Sequence, residues 1–387
     1  MTTPRTQRVV AVIGTRPEAI KLAPLCLAMA ASEDFELVLV ATGQHRTMLD
    51  QVLGHFELSP DFDLDVSSPG QTLTQVTTRV LEGLEPVLIE ACPDAVLVQG
   101  DTTSAFAGAL ASYYQRCPVV HLEAGLRTGD IYSPYPEEMN RMLCGALSSL
   151  HLAPTPKARG HLLAENVDAA SICVTGNTVI DALLWTVDRD PSLPDATAIA
   201  GHDGPVLLVT AHRRESWGAP MREVGRALRT LADQRAELLI VLPLHLNPTV
   251  RDALLPAVEG ASNIEVIEPL EYPSFVACLN RATLLLTDSG GVQEEGPALA
   301  KPVLVMRDTT ERPEGITAGT ARLVGTDHDR IVTEVGRLLD DPSAYEAMAQ
   351  AQNPYGDGKA SARSLDAMRR LFGQDVAIDE FDPGREP

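Results

Sequence analysis

Residues 8–30 read RVVAVIGTRPEAIKLAPLCLAMA, and two periodicities meet at Gly14. The opening Val/Ile run has no polar alternation, which suits a parallel strand covered on both faces. From 17 to 31 the pattern turns amphipathic, and Pro17 suits a first helical turn. The same junction recurs along the chain. FELVLVATG, DAVLVQG, PVVHLEAG and SICVTG are candidate strands in the first half, and GPVLLVTA, ELLIVLP, NIEVIE, ATLLLTD and KPVLVM in the second. Amphipathic segments at 72–92, 103–115, 219–234 and 291–300 lie between them. This alternation predicts an α/β fold of two doubly wound domains.

A chain of 387 residues is too long for one ordinary core, consistent with that count. The connection falls within 172–204, where CVTGNTVIDALLW gives way to the Pro/Asp/Gly-rich DRDPSLPDATAIAGHDGP. A last helical segment spans about 358–372, followed by an acidic tail. No apolar run is long enough for a membrane span, and the N-terminus has no signal core, so a cytoplasmic location with no membrane partner is expected. The net charge of −22 argues against a nucleic-acid surface but permits a small anionic ligand where cations are gathered locally. Only four lysines are present. The six cysteines are scattered without metal-ligand spacing and read as reduced, packed thiols. No metal site is expected.

In such folds ligands bind beyond the carboxyl ends of the strands. There the sequence carries GTRPE, TGQH, QGDTTS, HLEAGLR, TGNT, TAHRRE, PLHLNP, TDSGG and MRDTTERPE. Loops are polar in any protein, yet Arg16, His212, Arg213, Arg214 and Arg312 all fall at strand exits of a strongly acidic chain. TDSGGVQEEGPALAKP (287–302) starts a helix with Ser289, Gly290 and Gly291, where unpaired amides and the helix dipole favour a phosphate. Glu294 and Glu295 in the same turn suit sugar hydroxyls, so a nucleotide fits; a capped helix with first-turn acids fits equally. No dinucleotide fingerprint occurs.

Lys21 lies one turn after Pro17 and is read either as a cleft cation or as a surface partner of Glu18. Asp101 is either a helix N-cap or an acid/base group. In HLEAGLRTGDIYSPYPEEMNR (121–141), Glu123 leaves its strand and Pro136 begins a helix. Glu137 and Arg141 are spaced for an i,i+4 pair, while Asp130 and Glu138 read as turn and surface acids.

These blocks, together with GQHRTMLDQVL, LHLNP and NPYGDGKAS, resemble the non-hydrolysing UDP-N-acetylglucosamine 2-epimerases over about residues 8–372. The resemblance implies two Rossmann-like domains of the GT-B type with the active site in the interdomain cleft. The first would span 1–173 and be joined by the C-terminal helix of about 358–387; the second, UDP-binding, would span 174–357. It implies a cytoplasmic homodimer that uses no cofactor and interconverts UDP-GlcNAc and UDP-ManNAc, with UDP bound in passing. The chemistry would be loss of UDP to 2-acetamidoglucal and its re-addition.

By the same resemblance Asp101, Glu123 and Glu137 are acid/base or charge-stabilising carboxylates. Arg16, His212, Ser289 and Gly290 hold the diphosphate, with His212 also a catalytic candidate, and Arg213 and Gly291 are further substrate-binding candidates. Glu295 takes the ribose, Lys21 and Arg312 line the site, and Phe275 is a candidate for the uracil pocket. Some bacterial members bind a second UDP-GlcNAc as activator. The matching positions Gln44, His45, Glu137, Arg213 and His245 are kept. Two longer polar side chains of that site are replaced here by Thr47 and Gly70, which predicts weakened or absent activation.

Overall fold

Two all-parallel sheets organise the chain in the computed structural model, which describes residues 5–43, 46–68, 70–194 and 197–385. The first unit runs to Ala182 and resumes at Gly356; the second spans Leu183–Tyr355. The change therefore falls inside a helix rather than in the Pro-rich segment that follows it.

In the first unit the strands are β1 (Gln7–Ile13), β2 (Phe35–Ala41), β3 (Phe62–Asp63), β4 (Ala95–Gln99), β5 (Val119–Leu122), β6 (Leu150–Ala153) and β7 (Ile172–Val174). Helices α1 (Arg16–Ala30), α2 (Arg46–His55), α3 (Leu73–Ala91), α4 (Thr103–Tyr114), α5 (Glu137–Leu147), α6 (Pro156–Ala164) and α7 (Thr178–Val187) alternate with them. The sheet order is β3-β2-β1-β4-β5-β6-β7. Winding reverses between β1 and β4, so their exits splay apart into a crevice.

The second unit has β8 (Val206–Thr210), β9 (Leu239–Pro243), β10 (Ile264–Ile267), β11 (Leu284–Thr287), β12 (Val303–Val305) and β13 (Ala321–Leu323) in the order β10-β9-β8-β11-β12-β13. Its helices are α8 (Ala219–Gln234), α9 (Pro248–Val258), α10 (Tyr272–Arg281), α11 (Gly290–Ala298), α12 (Pro313–Ala318), α13 (His328–Asp340) and α14 (Pro342–Ala349). Here the winding reverses between β8 and β11.

Both faces of the sheets are covered, as the unbroken apolar runs require. Leu207 and Val209 of β8 join one buried cluster while Val206 and Leu208 join the other. Ile240 and Leu242 of β9 divide from Leu239 and Val241 in the same way. β3 and β13, of two and three residues, are too short to stand out by pattern and become strands by pairing at the sheet edges; β6, not singled out by pattern either, lies between β5 and β7.

The last helix, α15 (Ala360–Leu371), belongs to the first unit. Its first amides, at Ala360 and Ser361, donate to the buried Asp181 carboxylate. Arg369 near its end reaches Asp34 at 2.8 Å. All six cysteines are free thiols, of which Cys26, Cys144, Cys173 and Cys278 are buried, and Cys92 is exposed. Among the described residues no helix is long and apolar enough to cross a membrane.

Candidate functional site

The crevice of the first sheet gathers the carboxylates. Glu123 follows β5 with φ of +64°, a left-handed conformation that non-glycine residues rarely adopt and that turns the side chain out of the strand's pleat. Its carboxylate is buried and held from three elements. Lys21 of α1 donates at 2.5 Å, Asn177 before α7 donates at 3.1 Å, and Gln99 at the end of β4 makes a short bond to the other oxygen. Lys21 is therefore not a surface partner of Glu18.

Asp101 sits in the turn from β4 to α4. Arg141 of α5 grips its Oδ2 through Nε and Nη2, each at 2.7 Å, and Asn140 holds its backbone carbonyl at 2.9 Å. Burial raises the Asp101 carboxyl above the usual aspartate value, with Glu123 adding to the rise and Arg141 and Lys21 opposing it. The preceding carbonyl, of Gly100, lies 2.7 Å from Nε2 of His121. Burial lowers His121 to about 4, so the ring is neutral and this nitrogen donates. The N-cap of α4 is Thr102, so Asp101 is free of that task.

The expected pair of Glu137 and Arg141 does not form. Arg141 turns to Asp101 and to Glu138, which it meets at 3.0 Å. Glu138 is no surface acid: it is 1% exposed and accepts the amides of Thr128 and Gly129. Burial pushes its carboxyl up, but those amides and Arg141 prevail and hold it below the usual range. Glu137 stays half-buried and makes no ion pair or hydrogen bond among the described residues. Asp130 is an exposed turn acid that accepts from the Tyr132 amide, as its sequence context suggested. Arg16 stands exposed as the first residue of α1 and forms no ion pair among the described residues.

The reversal point of the second sheet gathers cations and a helix start. Asp288, 1% exposed at the exit of β11, accepts the amides of His212 and Arg213 at 2.7 and 2.8 Å from the exit of β8. Its other oxygen lies 2.9 Å from Nδ1 of His212. Although burial works against it, the contacts with His212 and the two amides keep Asp288 below the usual aspartate value. This arrangement leaves Nε2 of His212 as the nitrogen available to a ligand.

Ser289 is the N-cap of α11, but its side chain makes no capping bond, leaving the amides that follow unsatisfied by it. The Arg213 guanidinium lies over Gly290, 3.8 Å from where a Cβ would stand. Gly291 lies beside Glu295, which is buried and receives a hydrogen bond from the Tyr272 hydroxyl at 3.4 Å. Arg312 is committed to Glu294 by a short ion pair. Phe275 is half-buried against the sheet's core, and His245 is exposed with its ring 6.1 Å from that of His212. Gln44 and His45 lie outside the described residues, as does the Thr47 side chain.

Sequence pattern did not single out Gln99, Asn140, Asn177 or Asp288 as partners. Each lies within a quoted block, and only the pairing of distant strand exits turns them toward the charged residues.

Residues 27–369 match the family model of UDP-N-acetylglucosamine 2-epimerase. The UDP-N-acetylglucosamine 2-epimerase of Escherichia coli K12 is 54% identical over 369 residues, covering 94% of this chain and 98% of that one. A solved chain from Listeria monocytogenes superposes with a TM-score of 0.92 at 46% identity, covering 98% of this chain and all of that one. The UDP-GlcNAc 2-epimerase of Neisseria meningitidis, solved with UDP-GlcNAc bound, gives 0.85 at 43% identity, over 94% of this chain and all of that one. The two Rossmann-like units are thus of the GT-B type. The chain belongs to the UDP-N-acetylglucosamine 2-epimerase family and is accordingly an isomerase.

Proposed function

We propose that the chain interconverts UDP-GlcNAc and UDP-ManNAc by eliminating UDP and adding it back, without hydrolysis. The C2 hydrogen of the sugar is not beside a ketone, so its direct removal is unfavourable. In the elimination a base takes that proton, the C2–H electron pair becomes the C1=C2 bond of 2-acetamidoglucal, and UDP leaves C1 with the bonding pair. Re-addition restores the C1–O bond while a proton arrives on the opposite face of C2. Two proton-transfer groups and a cationic cradle for the diphosphate meet these needs.

The observation that carries this proposal is the division of labour between the two reversal points. Carboxylates collect at the first, and His212, Arg213 and an uncapped helix start at the second. Asp101 commits only Oδ2 to Arg141, and Glu137 commits neither oxygen among the described residues. These two exchange the C2 proton. Glu123, clamped by Lys21, Gln99 and Asn177, supplies a fixed negative charge near Asp101. His212, Arg213, Ser289 and the amides of Gly290 and Gly291 receive the diphosphate, and Glu295 the ribose. Arg312 acts through Glu294, bracing α11.

Incubation with UDP-GlcNAc in D₂O, followed by NMR of the sugar, should give UDP-ManNAc carrying deuterium at C2. Free ManNAc with UDP would mean a hydrolysing enzyme. Turnover only with an added acceptor would mean a glycosyltransferase. Tight UDP binding with neither exchange nor epimer would mean a nucleotide-sugar sensor.

A further inference from the structure

We propose that Glu18 is a positioning residue, tying the exit turn of β1 to the exit turn of β4 and so fixing Asp101. Its side chain is 1% exposed and has no cationic partner among the described residues. One oxygen accepts the Gly14 amide at 3.0 Å, at the end of β1. The other accepts the Thr102 hydroxyl at 2.6 Å, in the residue after Asp101. That hydroxyl already accepts the Ala105 amide at 3.0 Å. Toward the ionised carboxylate, which can only accept, the hydroxyl is the donor.

A glutamate at the third position of a helix ordinarily spends its carboxylate on the start of its own helix. Glu18 does so with one oxygen and spends the other on the start of α4, across the reversal of winding. Asp101 is then held from three sides: by Arg141 and Asn140 of α5, by His121 through Gly100, and by Glu18 through Thr102. Burial raises the Glu18 carboxyl to about 7 against the bonds from Thr102, Thr15 and Gly14. A neutral residue would avoid that cost, so the acceptor is retained for what it holds.

The consequence for turnover rests on the epimerase proposal above; the tether itself does not. The test uses the full chain with Glu18→Gln, whose amide nitrogen would donate to Thr102 and reverse the sense of that bond. At a fixed pH, kcat for UDP-GlcNAc epimerisation should fall about tenfold to a hundredfold. KM should move less than about twofold, since the substrate contacts themselves are untouched. Amide exchange of the peptide 99–106 should quicken. Thr102→Val should reproduce both effects, Thr102→Ser should recover most of the loss, and the double variant should be no worse than either single one.

Wild-type kcat and exchange in Glu18→Gln, a loss shared equally by KM, or additive losses in the double variant would overturn the assignment. If Glu18→Gln does not fold, the pair Thr102→Val and Thr102→Ser decides by the same two readouts. If the wild-type chain forms no UDP-ManNAc, the epimerase proposal fails. Exchange in 99–106 then decides for or against the tether alone.

Discussion

Arg141→Gln should both destabilise the first unit and displace Asp101. The arginine side chain is 10% exposed and makes two N–H contacts to Asp101 and one to Glu138, which is 1% exposed. Removing the cation from a buried pair costs about 3–5 kcal/mol, because the carboxylates stay behind without it. Two features pull the value toward the lower end. Glu138 keeps its two amide bonds, and the Asp101 side chain is 24% exposed, so solvent screens part of its charge. At roughly 2–4 °C per kcal/mol for a domain of 150–250 residues, Tm should fall by roughly 6–20 °C.

The pH dependence has a definite sign. Glu138 is depressed in the fold, so its stabilisation is present above its unfolded pKa and is lost as pH falls through the folded value. Asp101 is raised, so its contribution is present at low pH and is lost as pH rises through the folded value. Without Arg141 the first contribution shrinks and the second penalty deepens, both above the carboxylate range. The gap between variant and wild type should be widest near neutrality. It should narrow in acid, as pH falls through the raised value of Asp101 and then the depressed value of Glu138. Thermal and urea unfolding at several pH values read this directly. A loss under about 1 kcal/mol near neutral pH, or a gap that widens in acid, would refute the role given to Arg141.

Asp288→Asn should weaken UDP binding measured by calorimetry while leaving the circular dichroism unchanged, because a neutral amide no longer orients the His212 ring through Nδ1 as the carboxylate does. An unaltered UDP affinity would remove His212 from the diphosphate cradle. The rate curve with UDP-GlcNAc alone should be hyperbolic, since Gly70 offers no side chain and the chain carries Thr47 where a longer amide would reach a second ligand. A sigmoidal curve abolished by Gln44→Ala would show that activation survives those replacements.

The sequence by itself determined the fold class and most of the blocks that bear chemistry. Unbroken runs such as VVAVI and VLLV admit few homes but a sheet covered on both faces, and a strand that stops at GTRP or TDSGG must be followed by a helix. Those are local consequences of periodicity, Pro placement and helix-start chemistry, so they survive without the rest of the chain. By resemblance, the family blocks offered Asp101, Glu123, Glu137 and His212 as site candidates.

Partnership was decided by the tertiary structure alone. Spacing along α5 gave Arg141 to Glu137, and spacing along α1 offered Glu18 as one of two readings for Lys21. Instead Arg141 meets Asp101, forty residues back, and Lys21 meets Glu123 across more than a hundred. Glu138, one residue from a half-buried acid, is buried by the turn at Thr128 and Gly129. A side chain's local options differ by tenths of a kcal/mol on a helix surface. A buried carboxylate left without a donor costs several times more. Where the strand order reverses, the exits of β1 and β4, and of β8 and β11, bring distant turns within reach. There the larger energy chooses the partners.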